Sequence, residues 1–148
     1  MSFGSIVVAV DGAEVSQDAL DHAVYLARHG HAKLAGIFIV DSQWPDFIGN
    51  DWQSSQGSRR GFLDYVRKEQ EEQAELARAQ FSLATLGLDR AVFSVHAGDP
   101  AAVLVAQSGN TGVLIASRRV FQVSGRPSLK SLATTLARKA SCTLMLFP

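Results

Sequence analysis

The chain has 148 residues, 47% of them hydrophobic, with 14 basic and 14 acidic side chains. That length and apolar content suit one domain with a full core and exclude a disordered chain; no apolar run approaches the ~18 residues that span a bilayer, and Met1-Ser2-Phe3-Gly4 enters an apolar strand without a signal-peptide pattern, the mark of a cytoplasmic protein. The neutral total is sorted along the chain. Met1 to Asp99 carries 8 basic against 14 acidic residues, whereas Pro100 to Pro148 carries Arg118, Arg119, Arg126, Lys130, Arg138 and Lys139 and no acid, so a basic face suited to an anion is expected.

Ile6 to Val10 is a continuous β-branched run ended by Asp11-Gly12, the pattern of a central strand covered on both faces. From about Ala13 to His29, Val15, Ala19, Leu20, Ala23, Val24 and Ala27 recur at three- and four-residue intervals, and Gly30 is expected to supply the left-handed stop of this first helix. Leu34 to Val40 reads as a second buried strand ended by Asp41, and two strands joined by a helix make a right-handed parallel unit. Ser42 to Gly61 breaks the rhythm with Pro45, three glycines and both tryptophans, and is expected to be a long loop. There Trp44, Phe47 and Trp52 form either a lid or partner-docking loop, or a satellite cluster packed on the core.

A second helix is expected from about Phe62 to Leu86, stopped by Gly87, with Arg67 to Glu75 as a solvated face of local ion pairs. Ala91 to Val95 is strand three. Gly98-Asp99-Pro100 then starts a short helix, with Asp as N-cap and Pro at the first helical position, that ends near Ser108-Gly109. Val113 to Ala116 is strand four. After a basic loop, Ser128 can cap a helix from Leu129 to about Ala140, before a last strand from Thr143 to Phe147. Five strands alternating with four helices predict a single α/β domain over residues 1–148, an open doubly wound parallel sheet rather than a barrel, which needs roughly 200 residues.

In such a sheet, ligands sit outside the carboxyl ends of the strands where strand order reverses. Asp11, Asp41 and the stretch Ser117 to Lys130 all lie at carboxyl ends. With strands one and four as neighbours, Asp11 and the basic loop would face each other across one crevice, a nucleotide-shaped arrangement; the same carboxylates also serve as plain helix caps. The sole cysteine, Cys142, lies in an apolar run and reads as a small core residue or else an oxidisable thiol. His22, His29, His31 and His96 show no metal spacing beyond His29-x-His31, and no serine elbow or metal cluster supports a hydrolase or nucleotidyl-transfer enzyme. Six cations without an interleaved aromatic platform make nucleic acid an unfavoured partner.

Taken end to end, Ile6-Val7-Val8-Ala9-Val10-Asp11-Gly12, Ile37-Phe38-Ile39-Val40-Asp41, Gly98-Asp99-Pro100, Val113-Leu114-Ile115-Ala116-Ser117-Arg118 and Ala140-Ser141-Cys142-Thr143-Leu144-Met145 resemble the universal stress protein family. The resemblance implies an adenine nucleotide alpha hydrolase-like sheet in the order 3-2-1-4-5 and a cytoplasmic homodimer paired through Thr143–Phe147. ATP-binding members of the family carry Gly-x-x-Gly, nine residues, then Gly followed by Ser or Thr. Here Ala116 and Arg119 stand at the two glycines, and the later pair falls on Leu129-Lys130, or on Lys130-Ser131 with one extra residue.

Those glycines let backbone amides approach phosphate oxygens, some of them at positive φ, where Arg119 would be strained. Two expectations follow from the resemblance. One is a dimeric stress-response regulatory module, not an enzyme, with weak or absent nucleotide binding and an unidentified protein partner. The other is a switch that binds ATP with magnesium, in which Asp11 and Ile39 meet the adenosine, and Ala116, Ser117, Arg118, Arg119, Lys130 and Ser131 form the phosphate loop, its cations replacing amide contacts.

Overall fold

The structure is a computed structural model and describes residues 4–40, 56–109, 112–121 and 132–148. Strand β1 (Ser5–Ala9) leads through a 3-10 turn (Glu14–Ser16) into α1 (Gln17–Gly30), followed by β2 (Lys33–Val40) and α2 (Gln56–Ala84). Then come β3 (Ala91–Ala97), α3 (Pro100–Ser108), β4 (Val113–Ser117), α4 (Leu132–Lys139) and β5 (Thr143–Phe147). The strands form one sheet in the order β3-β2-β1-β4-β5, all parallel, with Val8 paired to Gly36 on one side and to Ile115 on the other. Strand order and direction are those expected, as is the number of α-helices among the described residues.

Strand alternation sorts the core into two layers. Ile6, Val8, Val10, Leu34, Phe38, Val113 and Ile115 meet α1 and α2, while Val7, Ala9, Ile37, Ile39, Leu114 and Ala116 meet α3 and α4. β1 and β4 are covered on both faces, which is why they read as unbroken apolar runs. Each fully buried Leu, Ile or Val contributes about 1.5–3 kcal/mol relative to leaving it in water.

Asp99 caps α3 as expected, its Oδ2 accepting from the Ala102 amide at 3.0 Å with Pro100 at the start. Gly30, in contrast, is the last helical residue of α1, and the left-handed position falls on His31 at φ 54°. The helix runs one residue past the expected stop, because His31 and Ala32 both present their amides to the Ala27 carbonyl and close the last turn.

The loop expected from Ser42 to Gly61 does not reach its last residues: α2 already begins at Gln56, so Gly57 and Gly61 are helical. The carboxyl-terminal half of α2 is anchored on the sheet through Ala74, Ala77 and Phe81. Extending a nucleated helix is cheap, and an isolated glycine costs only about 1 kcal/mol. Trp44, Phe47 and Trp52, with Asp41, lie outside the described residues. The expected ion pairs on α2 are present as Asp64–Arg67 at 3.7 Å and Glu75–Arg78 at 3.6 Å, both exposed.

Phe81 reaches β2 because Gly36 lies beneath its ring; a Cβ there would come within 2.5 Å of it. Cys142 is half-buried against the α3–α4 layer rather than sealed in the core. Among the described residues, no helix is long and apolar enough to cross a membrane.

Candidate functional site

The order β2-β1-β4 puts the topological switch point between β1 and β4, where consecutive helices pass to opposite faces; sheets of this winding form their ligand crevice above the strand ends at that point. Asp11 sits there, 7% exposed. Its Oδ1 accepts from the Ala13 amide at 2.9 Å, and its Oδ2 accepts from the Phe121 amide, 110 residues away, at 3.2 Å. The carboxylate that the sequence offers to a ligand thus bridges the turn after β1 to the turn after β4.

That second turn spends its amides internally. Arg118 N donates to the Phe147 carbonyl at 2.7 Å, Arg119 N to Ser117 Oγ at 3.2 Å, Val120 N to the Ser117 carbonyl at 3.1 Å and Phe121 N to Asp11. Ser117 Oγ in turn donates to the Pro148 carbonyl at 3.3 Å, tying the turn to the end of β5. Val120 is fully buried in the α3–α4 layer. Phe121 packs against both layers and meets Phe38 edge-on, with ring centroids 5.8 Å apart and an interplanar angle of 76°.

Of the site residues named from the sequence, Asp11, Ala116 and Ser117 come together, buried, at the ends of β1 and β4. Ile39 is also buried, at 4% exposed, near the carboxyl end of β2 in the α3–α4 layer. Arg118 and Arg119 are exposed at the mouth. Lys130 and Ser131 lie outside the described residues. The strained backbone expected at Arg119 is found two residues later: Phe121 has φ 62°, and among described residues only it and His31 are non-glycines at positive φ. The turn tightens at Ser117–Val120, so the left-handed residue comes where the chain must swing its amide back to Asp11.

The other wall of the crevice was not anticipated. Gln80 of α2 accepts from Gly12 N at 3.0 Å and Ser16 Oγ at 3.1 Å through Oε1, and donates through Nε2 to the Ala13 carbonyl and Gln17 Oε1, each at 3.0 Å. One α2 heptad earlier, Gln73 Nε2 donates to the Asp11 carbonyl. Gly12, at φ 79°, admits the helix: an added Cβ would lie 2.8 Å from the Ala77 nitrogen and from the Leu76 Cβ. A sequence signal existed, since Gln73 and Gln80 interrupt the inward stripe of Ala74, Ala77 and Phe81 with amides that a buried face must satisfy.

Among the described residues, no group of three or more His, Cys, Asp or Glu could hold a metal ion. Ser94 Oγ and His96 Nε2 are hydrogen bonded at 2.9 Å on β3, away from the crevice.

A five-stranded parallel sheet in this order, with an acidic β1 end facing the turn after β4, defines a doubly wound α/β protein. The model of the Universal stress protein family matches residues 2–148, and the chain belongs to that family. Among solved structures it is similar to the universal stress protein UspA from Lactobacillus plantarum, at 14% identity and a TM-score of 0.75, covering 100% of this chain and 99% of that one. It is also similar to a universal stress protein family member from Burkholderia pseudomallei, at 23% identity and a TM-score of 0.58, covering 99% and 96% of the two chains. The universal stress protein from Archaeoglobus fulgidus in complex with dAMP matches at 17% identity and a TM-score of 0.59, covering 100% of both chains. At these identities the likeness is one of fold. No curated protein matches the chain.

Proposed function

We propose that this chain is a single-domain, dimeric regulatory module of the stress response, not an enzyme, whose β1–β4 crevice binds adenine nucleotides weakly or not at all. The observation that carries this reading is the internal use of the turn after β4. The four successive amides from Arg118 to Phe121 already have protein acceptors, and Asp11 already accepts two amides. A phosphate arriving there must displace those bonds, each worth about 0.5–1.5 kcal/mol net and more where a carboxylate accepts.

A second copy is the partner that β5 suits. It is an edge strand whose Leu144, Met145, Leu146 and Phe147 are all half-buried, and an open apolar edge invites pairing.

Calorimetric titration of nucleotide-stripped protein with ATP, with and without magnesium and with AMP as control, tests the reading. No heat and no thermal stabilisation at millimolar nucleotide are expected. A dissociation constant of about 1 μM, ~8 kcal/mol of binding free energy, would overturn it.

One observation favours the alternative, a switch that binds ATP with magnesium: Arg118 and Arg119 stand exposed at the mouth, where they could grip phosphates through charge-assisted bonds. The Archaeoglobus fulgidus protein holds dAMP on the same fold. In that reading Asp11 and Ile39 face the adenosine, and Lys130 and Ser131 complete the grip.

A further inference from the structure

We infer that the open edge of β3 is a second self-association surface, on which β3 of another copy of this chain pairs antiparallel. It lies at the end of the sheet opposite β5 and does not depend on whether the crevice binds nucleotide. It draws on the reading above only in that β5 supplies the first contact between copies and β3 the next.

The backbone of this edge is ready to be shared. β3 runs parallel to β2, with Leu34 N donating to the Arg90 carbonyl at 2.8 Å and Gly98 N to the Val40 carbonyl at 3.0 Å. That alternation turns the amides and carbonyls of Val92, Ser94 and His96 toward β2, and those of Phe93 and Val95 off the edge. Sheet edges are usually blunted by a lysine, a proline or a bulge that twists the strand away. The seven residues Ala91–Ala97 contain no charge and no proline, and they pair one to one with Leu34 to Val40, so no bulge interrupts them.

The side chains agree with the backbone. Val92 is 55% exposed and Val95 40%, on opposite faces of the strand, so a strand laid alongside covers apolar surface on both. Ser94 Oγ and His96 Nε2 are bonded to each other at 2.9 Å, so the two polar side chains of β3 enter such a contact already partnered.

Charge selects the partner and its direction. Arg90 and Lys33, the residues before the Leu34–Ala91 pair, stand exposed at the start of β3 and outnumber Asp89 beside them, while Asp99 stands exposed just past its end. Antiparallel pairing of two copies sets the basic start of each strand against the Asp99 end of the other; parallel pairing sets like against like. A twofold axis near Ser94 therefore satisfies both ends of the contact with one geometry. Since β3 and β5 are opposite edges of one sheet, β5 makes pairs and β3 links the pairs into longer assemblies. The contact made by β3 is small, of the transient class, so it adds at high concentration to a dimer that β5 holds at low concentration.

Sedimentation velocity from micromolar to millimolar protein tests the inference. The parent is expected to pass from dimer to larger species as its concentration rises. Met145→Lys/Leu146→Lys, which blocks β5, is expected to pass from monomer to dimer and to stop there, because a single self-complementary contact closes at two. Adding Val92→Lys to that variant should weaken its dimerisation by about tenfold or more. Adding Arg90→Glu instead, which sets an acid against Asp99 of the second copy, should weaken it by about threefold or more. Circular dichroism melts check folding; should the Val92→Lys protein fail to fold, the Arg90→Glu comparison decides. A β5-blocked protein that stays monomeric at millimolar concentration overturns the β3 contact, and so does dimerisation indifferent to both substitutions. A parent that is monomeric at micromolar concentration, and whose association at millimolar concentration is lost with Val92→Lys, overturns the β5 reading and upholds β3.

Discussion

The Phe121 amide and the Asp11 carboxylate, 110 positions apart in the chain, meet at 3.2 Å across the gap between the ends of β1 and β4. This bond spans the strand ends above which α/β proteins of this winding place their ligands, and it couples two segments that share no local pattern. The acid that ends the first apolar run thus acts as a brace, accepting the Ala13 amide on one oxygen and the Phe121 amide on the other.

Asp11→Asn should therefore destabilise the fold even without any ligand. An amide side chain offers one acceptor and one donor, so whichever way it turns, either Ala13 N or Phe121 N faces a donor. A loss of about 1–3 kcal/mol is expected in urea unfolding, with Asp11→Ala losing at least as much. Unchanged midpoints for both variants would show that the brace carries no weight.

Gln80 is the second place where one side chain holds several elements. Gln80→Ala strips acceptors from Gly12 N and Ser16 Oγ and a donor from the Ala13 carbonyl, and about 2 kcal/mol of stability should be lost. Glu72→Ala, on the exposed face of α2, serves as the comparison and should fall within about 0.5 kcal/mol of the parent. Parallel thermal melts of the two variants check the contrast.

Gly36 and Phe81 should prove coupled. A methyl at position 36 would lie 2.5 Å from the Phe81 ring, so Gly36→Ala must push that ring out of the core, at a cost of about 1–3 kcal/mol. With Phe81→Leu in place, the added methyl should cost less. A double-mutant cycle in urea that came out additive would place the ring's freedom to move higher than the packing implies.

The β5 edge makes a prediction about assembly. Met145→Lys and Leu146→Lys put charges on both faces of an edge strand whose apolar residues are half-buried. The parent should sediment as a dimer and the double variant as a folded monomer in analytical ultracentrifugation. A monomeric parent would remove β5 as a pairing surface.

Much of the fold was open to reading from the chain because its signals are local. Ile6 to Val10 had to be a strand buried on both faces, and Asp99-Pro100 had to start a helix, since both follow from the preferences of a few consecutive residues. Where local signals competed, boundaries moved: Gly57 and Gly61 spoke for a loop but were carried into α2 by a helix already anchored through Ala74, Ala77 and Phe81.

The α/β alternation, the parallel sheet, the charge sorting and the placing of Asp11 and the start of the Ser117–Lys130 stretch at carboxyl ends were legible in the chain, because periodicity, caps and right-handed crossovers act over a few residues at a time. Only the tertiary structure decided what those groups do there. Whether Asp11 faces a ligand or the Phe121 amide, and whether Gln73 and Gln80 look outward or bind the β1 turn, depends on contacts between segments more than 60 residues apart. Such contacts form because buried hydrogen-bonding groups must find partners, and the partners available are those that the packed sheet and helices bring within 3 Å or so.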